Sequence, residues 1–256
     1  MLLKVWILAG NTFKEAIRRR FLYIFLFAAV AIILASHFFN FLAPLEESKI
    51  TVDMGLASIL FFGALIAIFS CAELIPREIE RQTIATVLSK PVKRFEFVLG
   101  KFFGGLLIIF LNFVLMSVVF LVLVYFKDRA ISLNLIKALV LTFWELAVLS
   151  SIAICLSTLS TTTAFIATVT FSIYIIGHLT DYFIHIAQQA GNLFISVFVG
   201  VIYTVLPNFN NFNLRDKVAE GFFIPNFEIA KVLLYGLIYI LVMLGLSYLF
   251  FQDKEF

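Results

Sequence analysis

The side chains able to do chemistry gather in three places along this chain of 256 residues. The densest is the stretch 73–94, where Glu73, Arg77, Glu78, Glu80, Arg81, Lys90, Lys93 and Arg94 crowd between two apolar runs. The second is Glu145, alone in the middle of another apolar run. A carboxylate at the centre of a bilayer costs roughly 3 kcal/mol on insertion scales, so it must meet a donor, water or a proton. Asn112 or a hydroxyl of the next run would serve as a structural donor. The functional alternative places Glu145 on a substrate path or subunit interface, or has it bind a proton. The third is His178, Asp181 and His185, at i, i+3 and i+7 on one helical face. Imidazole and carboxylate can ligate a transition metal. No Cys or Met joins them, however, and a polar helix end at the membrane interface is the plainer reading. His37 stands alone. Cys71 and Cys155 form no CxxC pair. There is no HExxH and no Ser/His/Asp set. Gly100-Lys101-Phe102 lacks the earlier glycine and the hydroxyl of a phosphate-binding loop. The residues therefore predict no catalytic, cofactor or metal site within this chain.

These groups are embedded in a sequence that is 62% hydrophobic and 14% charged, with a mean hydropathy of +1.07. Soluble domains run nearer 45–50% apolar and about 25% charged. A water-exposed globule of this composition would aggregate, and a net charge of +3 is no electrostatic footprint for nucleic acid. An integral membrane protein remains. Its apolar runs are long and continuous rather than alternating, so they specify helices. The expectation is one all-α transmembrane domain over 1–256, with six spans at 21–41, 54–75, 97–126, 135–156, 162–184 and 231–251. The region 185–230 is then external. Within it Leu193–Leu206 is too short to span and reads as re-entrant or interfacial, the alternative being a seventh span.

Residues 1–20 read as an amphipathic helix in the headgroup plane. Lys4, Asn11, Lys14, Glu15 and Arg18 share one face, and Leu2, Trp6, Ala9, Phe13, Ala16 and Ile17 the other. With six spans the termini share a side. That side carries Lys4, Lys14, Arg18, Arg19, Arg20, six basic residues between Arg77 and Lys101, and Lys254, against seven basic residues opposite. The excess predicts cytosolic termini in a cytoplasmic membrane.

The segment 76–94 then lies in the cytosol. Pro76 suits a first helical position, Glu78 and Glu80 favour the positive end of the helix dipole, and Lys90-Pro91 ends the helix. The result is a short charged helix of the kind that seats in a partner's groove. The alternative is an ordinary hydrated loop.

These residues resemble a family. An amphipathic head, six spans, Glu73-Leu74-Ile75-Pro76-Arg77-Glu78, then Thr83 to Arg94 with Leu88-Ser89-Lys90-Pro91-Val92, and Leu99-Gly100-Lys101 together look like the membrane subunit of ABC-2-type exporters. The likeness covers essentially the whole chain. Gly177-His178-Leu179 and the run from Leu206 to Asp216 look most like the permeases associated with multicopper-enzyme maturation. The resemblance implies a type V exporter-like fold with an elbow helix at 1–20. It implies a second permease subunit, identical or not, and a cytosolic ATPase dimer that binds ATP and Mg. Glu73, Pro76, Arg77, Glu78 and Arg81 would mark the coupling segment seated on that ATPase. Membrane lipid would surround the assembly and an extracytoplasmic partner would meet its outer cap; nucleic acid has no place in it. A non-transporting scaffold on the same coupling segment and a membrane-embedded enzyme are the alternatives.

Overall fold

The computed structural model describes residues 2–39, 47–80, 93–129, 131–190, 199–200, 203–204, 206–219, 222 and 224–252. Among these residues all regular structure is helical, with no strand. Helix α1 is Leu2–Ala16, α2 Arg20–Phe39, α3 Glu47–Ala72 and α4 Pro76–Glu80. Then follow α5 Arg94–Asp128, α6 Leu133–Leu159, α7 Thr163–His178, α8 Thr180–Ala190, α9 Arg215–Ala219 and α10 Asn226–Gln252. The protein is an all-α integral membrane protein. The stretches Lys49–Glu80, Arg94–Lys127, Leu133–Leu159 and Asn226–Gln252 are each long and apolar enough to cross a bilayer. Helices α1 and α2 qualify together as a pair bent by 74°.

Local chemistry sets the helix ends. The Lys93 backbone N–H donates to Glu96 Oε2 at 3.0 Å, opening α5. Arg129 closes it in the left-handed region (φ 56°), with its N–H bonded to Tyr125 O. The Ser132 hydroxyl accepts from Leu135 N and starts α6. Proline at position 76 stands first in α4, and Pro225 directly precedes α10.

Helix α6 is the centre of the bundle, with eighteen of its twenty-seven residues buried against α3, α5, α7 and α10. Its buried hydroxyls close onto its own carbonyls: Thr142 on Ala138 O, Ser150 on Ala147 O, Ser151 on Val148 O, Ser157 on Ile154 O and Thr158 on Cys155 O. None then needs water in the apolar interior. Helix α10, in contrast, exposes Leu234, Leu237, Ile238, Leu241, Val242 and Leu249, a face that only lipid or another apolar surface can cover.

The leading helix packs more closely than a purely interfacial helix would. Its inner face is Val5, Ala9, Thr12 and Ala16, and Leu3, Trp6 and Ile7 point outward. The apolar side read from the sequence is thus divided between protein and surroundings. A Cβ on Gly100 would sit 2.6 Å from Leu8 Cβ, and one on Gly104 2.6 Å from Thr12 Cβ and 3.1 Å from Ala9 O. The Gly-xxx-Gly step of α5 is therefore the seat of α1. Gly104→Val is expected to lower the melting temperature of the purified protein, at a cost of about 1–3 kcal/mol. Gly10→Val, with nothing within 4 Å of its Cβ, serves as the matched control.

Where one span is expected over 162–184, the chain forms two helices. The apolar α7 has sixteen residues, about 24 Å at 1.5 Å per residue against a hydrocarbon core of about 30 Å. The Thr180 hydroxyl donates to Ile176 O and Gly177 O at 3.1 and 3.0 Å, taking up carbonyls that a continuing helix would bond. The chain breaks at Leu179 and resumes as α8.

Residues 207–213 form an irregular insert between α7 and α10, with a 3₁₀ turn at Phe209–Phe212. Phe209 and Phe212 are fully buried. The insert presses so close that a Cβ on Gly177 would lie 2.5 Å from Phe209 Cδ2 and 2.7 Å from Pro207 O. A Cβ on Gly236 would lie 2.6 Å from Trp144 and 3.1 Å from Phe212. Non-helical backbone is tolerated inside a membrane protein only where protein satisfies it. Here the asparagines do so. Asn208 Oδ1 accepts from Asn210 N, Asn213 Oδ1 accepts from Arg215 N, and Asn208 N donates to Tyr235 Oη. The segment expected to be re-entrant or interfacial, Leu193–Leu206, lies mostly outside the described residues. The inserted segment seen here is the Asn/Phe stretch that follows it.

Candidate functional site

The first site is the charged joint where α3 turns into α4. Glu73 occupies the turn, 2.7 Å from Arg19 Nη1 and 3.8 Å from Arg77 Nη1. Arg19 comes from the break between α1 and α2, and its side chain is only 9% exposed. Burial pushes its guanidinium below the ordinary arginine range, while the Glu73 carboxylate pulls the other way. One turn on, Glu78 pairs with Lys101 of α5, whose ammonium also lies 5.6 Å from the Phe97 ring centroid. Pro76 is buried beneath this network. The groups line a cavity of about 200 Å³ bounded by Glu15, Arg19, Glu73, Leu74, Arg77, Glu78 and Lys101. The root of α4 is thus tied to the α1–α2 break and to the start of α5, and Arg77 is its more exposed cation (38%). The structure brings Glu73, Pro76, Arg77 and Glu78 together. Arg81 and the rest of the segment to residue 92 lie outside the described residues.

Nearby, the Arg94 guanidinium donates to Phe251 O at 3.0 Å and also reaches Gln252 O, capping the end of α10. Phe97 stacks on Phe251 at 5.3 Å. The last helix therefore ends on the same platform from which α5 begins.

The second site is at mid-bundle. Glu145 is 1% exposed, and its Oε1 lies 3.2 Å from His178 Nε2. The two atoms face each other at ion-pair distance, and neither makes a hydrogen bond of good geometry among the described residues. The imidazole clusters with Tyr174 and Phe209, at 4.6 and 5.6 Å between ring centroids. Its Nδ1 is 3.1 Å from Tyr174 O. The expected donors for Glu145 are not used: Asn112 bonds to Ile108 O within its own helix, and the α7 hydroxyls of Thr168, Thr170 and Ser172 do the same within theirs. His178 is the last residue of α7. It stands opposite the middle of α6, at the level of Glu145, twelve residues from that helix's start at Leu133 and about 18 Å along it. Asp181 accepts from Asn208 Nδ2 and Asn210 Nδ2, both at 3.0 Å, and His185 is exposed. The three residues considered for metal thus diverge, and no cluster of three or more His, Cys, Asp or Glu side chains suited to a metal occurs among the described residues.

A family model described as ABC-2 family transporter protein matches residues 6–256. The chain belongs to the ABC-2 transporter family. A separate search of the curated proteins found no match. The protein is a membrane permease subunit of an ABC transporter, a transport component rather than an enzyme. In this permease the joint and the Glu145–His178 pair depend on three residues to which the sequence reading gave no such role. Arg19 reads as one more basic residue of the head, and Lys101 as part of a failed phosphate loop. His178 was grouped with its helix-face neighbours. A usable signal existed for the last. In an antiparallel hairpin turning near Thr161, Glu145 lies sixteen residues before the turn and His178 seventeen after it. Equal rise on the two arms puts them at one depth.

Proposed function

We propose that this permease is the transmembrane half of an exporter driven by a separate cytosolic ATPase dimer, which binds the ATP and Mg. Two permease subunits, identical or not, form the path through the cytoplasmic membrane. Each crosses it six times, with α1 as the elbow helix and both termini in the cytosol. The segment 76–94 is the coupling element, and the external region 185–230 caps the outer face, where an extracytoplasmic partner would bind.

The observation that carries this reading is the joint. Glu73 and Glu78 are engaged by Arg19 and Lys101 of the permease body, so a push on α4 passes directly to the α1–α2 break and to α5. Arg77 is left more exposed at the rim, where an acidic groove of an ATPase would meet it. ATP-driven closure of the ATPase dimer would displace α4 and, through these ion pairs, the long helices.

Arg77→Glu is therefore expected to reduce ATPase co-purification by roughly tenfold or more, equivalent to at least about 1.4 kcal/mol of contact energy. Membrane insertion and permease yield should be unchanged. Undiminished ATPase retention in that variant would count against the coupling role. Stimulation of the ATPase by an exported substrate separates a transporter from a scaffold that shares the same segment.

A further inference from the structure

We propose that Glu145 and His178 form a one-proton binding site inside the membrane, and that the shared proton holds the 207–213 insert in its seat. The inference follows from counting donors. Tyr174 O can only accept, so the Nδ1 atom 3.1 Å from it carries hydrogen. That leaves Nε2, 3.2 Å from Glu145 Oε1. With no proton between them, a carboxylate would face an imidazole lone pair in an interior where Glu145 is 1% exposed. With two, an imidazolium would face a neutral carboxylic acid, leaving a net positive charge in that interior. One proton satisfies both atoms: either a carboxylic acid donates to neutral imidazole, or an imidazolium pairs with a carboxylate. The pair is neutral in both forms, which is the arrangement a low-dielectric interior favours.

The imidazole packs against Tyr174 and stacks on Phe209 of the insert, which limits its freedom to turn away. The pair is thereby connected to the insert. Phe209 also packs on Tyr174, and the two Asn208 and Asn210 amides hold Asp181 two residues beyond Leu179. The surrounding charges and titratable groups are few. Arg215 at the start of α9 acts on both members of the pair, and Asp53 of α3 lies 4.0 Å from its guanidinium. Asp181 of α8 is engaged by the asparagines. Tyr174 of α7 and Tyr235 of α10 contribute neutral phenols, the latter accepting from Asn208 N. Losing the proton sets like-signed electron pairs against each other. Adding a second leaves an uncompensated positive charge in the apolar interior. Either change pushes His178, and Phe209 with it, away from α6.

The test uses the full chain in lipid nanodiscs, with ¹⁵N-labelled histidine and pH-dependent hydrogen exchange. The His178 signal is assigned by its loss in His178→Gln. The expected spectrum near neutral pH shows Nδ1 protonated. Exchange at the amides of Asn208, Asn210 and Asn213, after correction for the intrinsic pH effect, should be slowest at one intermediate pH and faster on both sides. In Glu145→Gln the side-chain amide donates permanently to neutral Nε2, so the high-pH acceleration should vanish. In His178→Gln, whose amide donates to the carboxylate, the whole profile should flatten. An unprotonated Nδ1 in the wild-type spectrum, or a wild-type exchange profile without a minimum, overturns the proposal even if both variants fail to fold. So does an unaltered profile in either variant that folds.

Discussion

Glu73→Arg is expected to unfasten the joint at the base of the permease. The substitution would place three guanidinium groups together where Arg19, 9% exposed, now has its carboxylate at 2.7 Å. Leaving one member of a buried ion pair without its partner costs about 3–5 kcal/mol. Glu73 retains 27% exposure, so the lower end of that range applies. At roughly 2–4 °C per kcal/mol for a chain of this size, the melting temperature should fall by roughly 6–12 °C. The exchange Arg19→Glu with Glu73→Arg restores the opposite charges and should recover most of the loss, the remainder being the contact with Arg77. A plain sum of the two single effects in the double variant would show that the pair does not hold the joint.

Gly177→Val is expected to dislodge the inserted segment at the other functional region. Its Cβ would fall 2.7 Å from the backbone oxygen of Pro207 and 2.5 Å from the Phe209 ring. A ring edge can yield by a small rotation, but a main-chain carbonyl fixed in a 3₁₀ entry cannot. Overpacking of this kind costs about 1–3 kcal/mol. Here the strain relaxes most easily by expelling residues 207–213, because α6, on which α7 packs, is buried along most of its length. Protease sensitivity or hydrogen exchange in that segment should rise sharply while the rest of the bundle is unaffected. Gly245→Val, whose Cβ meets nothing within 4 Å, should change neither. Unchanged protection of 207–213 in Gly177→Val would mean that the close approach at Gly177 does not hold the insert.

Much of the architecture is legible from local pattern because a bilayer leaves little choice. Apolar length dictates where long helices form, and Pro76 marks a start that the structure reproduces at α4. The Gly100–Gly104 step is also readable as a close approach, although not which helix approaches. The partner is α1, and it is decided by the small residues Ala9, Thr12 and Ala16 on a helix whose hydrophobic periodicity alone suggests lipid. The break at Leu179 is harder to see. His178, Thr180 and Asp181 make the sequence polar there, but what ends the helix is the Thr180 hydroxyl together with the packing of Pro207 and Phe209 against Gly177.

Composition and the length of the apolar runs by themselves determine that this chain lives in a membrane as helices, and its charged segment after α3 is visible as the place where a partner would act. Both follow from one-dimensional quantities: transfer free energy summed along a run, and charge density between runs. Which charges cancel which is a different kind of information. Arg19 meets Glu73 across fifty-four positions and Glu145 meets His178 across thirty-three. Such pairs exist only once the helices are bundled, because a buried charge selects its partner by depth and facing direction. The same holds for the asparagine-rich insert. As sequence it reads like an exposed loop, and only enclosure by α6, α7 and α10 turns its own side chains into the substitute for the water it has lost.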